Sequence, residues 1–356
     1  MHGNNSLRKE EKARYSRQIR LSEIGVEGQL LLKASSVLVI GAGALGCSVL
    51  QYLTAAGVGT LGIVDNDWID ESNLQRQILY DIYDISKPKP LAAKEKLERL
   101  NPNVSFRTYF IRLNKENALN IIKDFDIIVD CTDNFGSRYL INDACIILNK
   151  PWVYGGILKF SGQVMVLNYK NGPTLRCIFP NPPHALEVPS CAEAGVIGSI
   201  AGIIGSIQAT EVIKIITESG EILSGKMLIL DSLNYSVEII SIKRDPDSSM
   251  IYNLGVYEDD CLSDGEQIKE ICLKDLREMH AVQPDLKIID LRDEVDADSL
   301  GFDCIKIPYY EISQNIHLLT DCDTLVFYCK YGIKSMNVIN YLKKYHNMEN
   351  LYSLVI

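Results

Sequence analysis

The chain has 356 residues and carries 46 acidic against 36 basic side chains, a formal net charge of −10. That balance argues against nucleic acid as a principal partner. An apolar content of 47% with 23% charged residues belongs to a soluble globular protein, long enough for two domains. Residues Met1 to Ser6 are polar and lack the apolar stretch of an export signal. The longest apolar run, Ala194 to Ile207, is short and interrupted by glycines, so no membrane partner is expected. Ten cysteines lie without paired framework spacing, which suits reduced thiols in a cytoplasmic protein. Most of them read as small buried apolar residues.

Residues 1–12 are polar and charged. Arg14 to Arg20 then brings several cations onto one short helix, either a solvated face or an anion-binding arm. Val37 to Ile40 reads as a buried strand of a parallel sheet. Gly41, Gly43 and Gly46 follow at G-x-G-x-x-G spacing, then a helical stretch from Cys47 to Ala56 and a second strand, Leu61 to Val64, ending at Asp65. Such glycines let the backbone turn tightly and bring N–H groups close to phosphate oxygens, while the helix N-terminus adds partial positive charge. An acidic residue about twenty positions on, here Asp65, suits a ribose diol. Alone, this spacing marks nucleotide binding, most often of NAD or FAD. The polar stretches beyond it, Asp65-Asn66-Asp67 and Ser72-Asn73-Leu74-Gln75-Arg76-Gln77, have no use in an oxidoreductase. They suit a site that holds a triphosphate and stabilises charge on a transferring phosphorus.

Lys87-Pro88-Lys89-Pro90 interrupts the chain, leaving Lys89 as a phosphate-neutralising cation or a solvated lysine beside two prolines. An amphipathic helix from Leu91 to Leu100, a strand from Val104 to Phe110 and a helix from Glu116 to Lys123 follow. Asp126 to Asp130 is a buried strand with Cys131-Thr132-Asp133-Asn134 at its carboxyl end, and Phe135 to Leu148 is helical. The alternation predicts an α/β, Rossmann-like doubly wound sheet whose ligands gather outside the carboxyl ends of the strands, where Asp65 and Asp133 fall. Strands at Val153–Ile157, Gly162–Tyr169, Lys226–Asp231 and Val237–Lys243, around a helical stretch Ala192–Thr217, continue it as a mixed sheet. The expected division is residues 1–247 as an ATP-binding domain, 248–267 as an acidic, turn-rich linker and 268–356 as a smaller α/β unit. The signals of that unit are helices at Lys274–His280 and Lys334–Tyr345 and strands at Leu286–Leu291 and Thr324–Tyr328.

Taken in order, Arg14-Tyr15-Ser16-Arg17-Gln18-Ile19, Gly41-Ala42-Gly43-Ala44-Leu45-Gly46-Cys47, Asp65-Asn66-Asp67, Ser72 to Gln77, Lys89, Cys131 to Asn134 and Cys191-Ala192-Glu193-Ala194-Gly195-Val196 closely resemble the MoeB/ThiF group of sulfur-carrier-protein adenylyltransferases, relatives of the ubiquitin-activating enzymes. The resemblance spans residues 14–245. It implies ATP-dependent adenylation of the C-terminal glycine of a small ubiquitin-like sulfur carrier ending Gly-Gly, with release of pyrophosphate. Attack at the α-phosphorus needs cations around the triphosphate and a metal bridging its oxygens. Asp133 is the expected Mg²⁺ contact; its other reading is a helix cap, and the two are compatible. Arg76 and Lys89 neutralise phosphate charge, Asn73 and Gln75 orient phosphates, and Asp65 takes the ribose. Gly41, Gly43, Ala44, Gly46, Asp67, Ser72, Leu74 and Asn134 complete the nucleotide-binding set. By resemblance Arg17 reaches the site of a neighbouring subunit, which makes a homodimer part of the mechanism.

Cys191 falls where the family has a mobile crossover loop. In some members this cysteine bonds to the carrier, and in others it is dispensable; a thiol near a helix N-terminus is the better nucleophile. Cys47, Cys131 and Cys145 read as packing residues. The family's structural Zn²⁺ needs two C-x-x-C pairs. Here the first pair is Thr174 and Cys177, and Asp247 to Ile251 has no cysteine, so no zinc site is expected. Ile268 to Ile356 resembles a rhodanese domain through Ile288 to Arg292, the Ile307-Pro308 turn and Phe327 to Ser335, and it reads as an incomplete one because no final helix follows Leu354. The resemblance makes Cys329 a persulfide carrier with Lys330 and Lys334 adding positive charge, or else the domain only docks. A cysteine desulfurase is a candidate partner. The rival classes are an NAD-dependent oxidoreductase, which leaves Arg17, Arg76, Lys89 and Asp133 unexplained, and a non-catalytic module in which the nucleotide is structural.

Overall fold

A computed structural model of the protein describes residues 6–182, 195–255, 257, 268–283, 285–292, 301–320, 322–329 and 333–355. These form two compact units, the first reaching Tyr257 and the second starting at Ile268.

The first unit is built on an eight-stranded sheet. β1 (Ser36–Ile40), β2 (Thr60–Val64), β3 (Ser105–Tyr109), β4 (Ile127–Asp130) and β5 (Trp152–Leu158) run parallel in the order β3-β2-β1-β4-β5. β6 (Ser161–Leu167), β7 (Lys226–Asp231) and β8 (Ser236–Ser241) extend it antiparallel, giving the mixed doubly wound sheet that the alternation predicts. Both faces of the sheet's centre are covered, so β1, β2 and β4 are rich in buried Val, Ile and Leu, whereas β3 at the edge is Ser-Phe-Arg-Thr-Tyr and only partly buried. Val37 and Val39 enter one core with the Ala44–Ala56 and Gly198–Thr217 helices, while Leu38 and Ile40 enter the other with Phe125, Tyr139 and Trp152. Strand order reverses between β1 and β4. The crossovers there leave in opposite directions, and a crevice opens at the carboxyl ends of the two strands.

Two helices beside the crevice begin two or three residues earlier than the sequence reading had them. The helix after β1 starts at Ala44, with Gly43 as its N-cap, so its free N–H groups lie inside the glycine turn. The helix read from Leu91 runs from Lys89 to Leu100. Pro90 sits in its first turn, where a missing N–H costs nothing because no intrahelical partner exists for it. The Gly198–Thr217 helix is long and apolar enough to cross a membrane by length and composition, longer than the run ending at Ile207 suggested. It packs against the Ala44–Ala56 helix, β5 and β6. It also buries Gln208 and Glu211, whose side chains bond to Asp130 O (2.8 Å) and to the N–H of Leu223 (2.8 Å).

Two contacts tie the segment beyond β8 back to the body of the unit. Thr174, Cys177 and Ser248 form a hydrogen-bonded cluster, with Ser248 Oγ 2.9 Å from both Thr174 Oγ1 and Cys177 Sγ. Tyr257, on the segment read as linker, is buried and donates to Asp143 Oδ2 at 3.0 Å.

The second unit is a five-stranded parallel sheet. Its strands are β9 (Lys269–Ile271), β10 (Lys287–Asp290), β11 (Cys304–Lys306), β12 (Leu325–Tyr328) and β13 (Leu351–Leu354), in the order β11-β10-β12-β13-β9. Helices Leu273–Val282 and Ile333–His346 accompany it.

Candidate active site

A cleft of about 500 Å³ opens at the carboxyl ends of β1, β2 and β4. That volume is in the range of small-ligand sites. Its floor is the glycine turn. Gly41 has φ +95°, and a Cβ there would meet Cys131 O at 2.6 Å. A Cβ on Gly46 would fall 2.0 Å from Gly41 O, so only glycine lets the helix start this close to the strand end. Asp65, at the end of β2, accepts from Ala42 N (2.7 Å) and Asp67 N (2.8 Å), which fixes its carboxylate beside the turn. Burial pushes the Asp65 carboxyl up from its ordinary value, against the opposing pull of Lys89 and those two N–H groups.

Lys89 is not solvated. Its side chain is 5% exposed, and Nζ pairs with Asp67 Oδ2 at 2.8 Å, Asp67 itself being 62% exposed. Pro90 and the helix start fix the stem, and the ammonium reaches the cleft from beneath Asp67. The turn Glu71–Asn73 is capped by Asp70, whose Oδ1 accepts from Ser72 N. Of the stretch Ser72 to Gln77, Asn73, Arg76 and Gln77 line the cleft. Ser72, Leu74 and Gln75 are not lining residues. Ser72 O accepts from Arg76 Nη1 (3.0 Å), Leu74 packs on the core and Gln75 is exposed. Of the glycine set, Gly41, Gly43 and Ala44 line the cleft, and Gly46 acts behind it.

On the β4 side, Asp133 is exposed and lines the cleft next to Asn134. The helix cap is Asn134 and not Asp133: Asn134 Oδ1 accepts from Ser137 N at 2.8 Å. That leaves the Asp133 carboxylate out of the capping role. Below it lies a buried pair that the sequence reading missed, Asp130 and Arg138. Burial raises the Asp130 carboxyl above its ordinary value, with Arg138 pulling the other way. Arg138 lines the cleft, as does Arg112. The helix Phe135–Ile147 carries Arg138 among apolar residues but also Asn142 and Asp143, so its sequence does not single Arg138 out.

Burial pushes the Cys47 thiol up to about 12 and raises Cys131 and Cys145, which makes all three packing thiols. At Thr174 and Cys177 the groups present are two hydroxyls and one thiol, not the four thiolates of a structural zinc site. Burial pushes Cys177 up, but the Ser248 and Thr174 hydroxyls and the N–H groups of Asp245 and Thr174 outweigh it and hold the thiol below its ordinary value. Arg17 is exposed on the short helix Ser16–Ile19, away from the cleft of its own chain. Cys191 and Lys330 lie outside the described residues.

In the second unit Cys329 follows β12 and is 5% exposed. Its sulfur accepts from Ser335 N at 3.3 Å and lies 3.5 Å from Ser335 Oγ, which is 2.7 Å from Ser353 Oγ. The Lys334 ammonium sits over the Tyr309 ring, 5.4 Å from its centroid.

A glycine turn on a helix N-terminus, a strand-end aspartate bonded to that turn and a crevice lined by Arg76, Lys89, Arg112 and Arg138 with exposed carboxylates at its rim suit a nucleotide-handling Rossmann-type enzyme. Residues 15–250 match the model of the ThiF family, and the chain belongs to that family. It is 40% identical over 353 residues to the "probable adenylyltransferase/sulfurtransferase MoeZ" of Mycobacterium tuberculosis, a match covering 95% of this chain and 90% of the relative. It is 47% identical over 243 residues to the sulfur carrier protein adenylyltransferase of Thermus thermophilus, covering 67% of this chain and 90% of that one. The adenylyltransferase and sulfurtransferase MOCS3 of Aedes aegypti is 49% identical over 227 residues, 64% of this chain and 52% of that protein. Among solved structures, E. coli MccB bound to ATP superposes with a TM-score of 0.57 at 22% identity, over 65% of this chain and 72% of that one, a likeness of fold. The chain is an enzyme of the adenylyltransferase class, not the oxidoreductase that its glycine motif alone allowed.

Proposed function

We propose that the protein uses ATP to adenylate the C-terminal glycine of a small ubiquitin-like sulfur carrier, releasing pyrophosphate. The observation that carries this reading is the convergence of Asp65, Asn73, Arg76, Lys89 and Asp133 on one cleft around the glycine turn. The carrier carboxylate oxygen attacks the α-phosphorus, the α–β bridging oxygen leaves with pyrophosphate, and a mixed acyl-phosphate anhydride forms. The glycine-turn N–H groups hold phosphate oxygens, Asp65 holds the ribose, and Arg76 with Lys89 meets the negative charge that builds on the departing pyrophosphate. Asp133 is the carboxylate that would hold Mg²⁺, which when bound supplies further charge neutralisation at the triphosphate. Arg17 of a second copy would bring one more cation, so the working form is a homodimer in the cytoplasm. Zinc has no part in it.

The sulfur step belongs to Cys329. Support comes from the Ser335 N–H aimed at its sulfur, the arrangement that stabilises a thiolate or persulfide. A cysteine desulfurase would load it, and of the molybdopterin, thiamine and tRNA-thiolation carriers the molybdopterin type is favoured because the domain is fused. The test mixes the protein with ATP, Mg²⁺ and a carrier ending Gly-Gly. Pyrophosphate release is expected with wild type and is lost in Asp133→Ala, whose exposed site leaves folding unchanged. Absence of release with any carrier, together with NAD binding, overturns the reading.

A further inference from the structure

A carboxylate and a guanidinium, Asp130 and Arg138, are buried at the base of the cleft, and Arg138 reaches its lining. Asp130 is fully buried, and its Oδ1 accepts from Thr132 N (2.9 Å) and Thr132 Oγ1 (2.7 Å). Its Oδ2 accepts no hydrogen bond and faces Arg138 Nε at 3.7 Å. Arg138, 8% exposed, spreads its remaining donors over Thr132 O (3.2 Å), Gly155 O (3.4 Å) and Tyr154 Oη (3.1 Å). Its guanidinium carbon lies 5.3 and 4.9 Å from the ring centroids of Phe135 and Tyr154.

We infer that the Asp130–Arg138 pair is a positioning device for Asp133, so that Arg138 is a positioning residue of the adenylation step. This rests on the function proposed above. The peptide groups on both sides of Asp133 are pinned. Thr132 is held through its N–H, hydroxyl and carbonyl by the pair. Asn134 is held through its side chain by Ser137 N and through its carbonyl by Arg138 N at 3.4 Å. Only the exposed Asp133 carboxylate remains to move. A metal-bearing carboxylate on a turn held in this way keeps its geometry without further ordering when the nucleotide arrives. The task needs arginine. The acceptors lie in several directions around one planar fork, and a lysine ammonium on a flexible stem reaches at most part of that set.

The test is Arg138→Lys in the full chain, assayed by pyrophosphate release with ATP and a Gly-Gly carrier over a Mg²⁺ titration. The expected result is a kcat lower by about 100-fold, the scale of a 1 Å misplacement. The Mg²⁺ midpoint should rise several-fold, with the KM for carrier within about twofold. A cation needed only for folding would be served by lysine and would leave the Mg²⁺ midpoint in place. Thr132→Val removes one hydroxyl donor to Asp130 and no backbone contact. It should show the same Mg²⁺ signature at about a tenfold cost, which keeps the test open if the lysine variant fails to fold. An active wild type with variants matching its kcat and Mg²⁺ midpoint overturns the device alone. A wild type that releases no pyrophosphate overturns both it and the proposed function.

Discussion

Lys89→Met separates binding from stability at one position. The lysine side chain is 5% exposed, whereas its partner Asp67 is 62% exposed. Truncating the ammonium therefore leaves no carboxylate stranded in the interior at Asp67, which stays hydrated. Methionine fills the stem's volume, and replacing a buried charge by an apolar group of similar shape is often close to neutral. One cost remains, because Lys89 is the charge that opposes burial at Asp65, so that carboxyl moves further up. The net effect on the nucleotide-free protein is about 1 kcal/mol or less, roughly 2–4 °C in Tm for a unit of this size. Nucleotide affinity behaves differently. A hydrogen bond to a charged group contributes about 1.5–3 kcal/mol, so Kd for ATP rises roughly 10- to 150-fold. The assay is calorimetric titration with a non-hydrolysable ATP analogue, paired with melting in its absence and presence. Saturating analogue raises the wild-type Tm by mass action, and that rise should shrink in the variant. An unchanged Kd, or an apo Tm lowered by more than about 8 °C, refutes the reasoning.

Gly46→Ala places a Cβ 2.0 Å from Gly41 O. Backbone has to move, at a cost of about 1–3 kcal/mol, and ATP binding should fall with it, read by the same titration. Burial disfavours the charged Glu11 carboxylate, but the Arg8 N–H and the Lys33 and Arg8 side chains outweigh it and lower its pKa from 4.5 to about 2. A depressed carboxylate contributes stability that is complete above the unfolded value and lost as pH falls toward 2. Glu11→Gln should therefore flatten the loss of Tm between about pH 4.5 and 2, and a parallel curve counts against it. Dialysis against a chelator should leave Tm unchanged, with no zinc found by elemental analysis, because the Thr174–Cys177–Ser248 cluster holds its loops by hydrogen bonds. A stoichiometric zinc content overturns that.

What the sequence revealed about the site is what lies close together along the chain. Gly41, Gly43 and Asp65 could be placed because the strand–turn–helix–strand that carries them is local and its glycine spacing has a steric cause. The six-residue stretch Ser72 to Gln77 read as one set, yet the turn at Glu71–Asn73 brings only Asn73, Arg76 and Gln77 of it to the cleft. Lys89 left a choice between a phosphate-neutralising cation and a solvated lysine, since its partner Asp67 lies twenty-two positions earlier. Arg138 was missed for the same reason. Its acceptors at Tyr154 and Gly155 belong to the next strand, and nothing local marks them. In the second unit the three-residue strands β9 and β11 were not read, because three residues are too few to show a period. The longer β10 and β12 carry enough apolar residues to be recognised.

The phenol of Tyr257 bears on where this polypeptide can be cut. Its hydroxyl closes a network in which Arg176 grips Asp143 at 2.8 and 3.0 Å, while Asn142 accepts from Leu175 N at 2.9 Å. A catalytic fragment truncated at residue 247, where the composition changes, would strip that hydroxyl from Asp143 and reopen the interior around Leu254. The workable scissors point lies beyond Tyr257, ten residues later than the composition alone suggests.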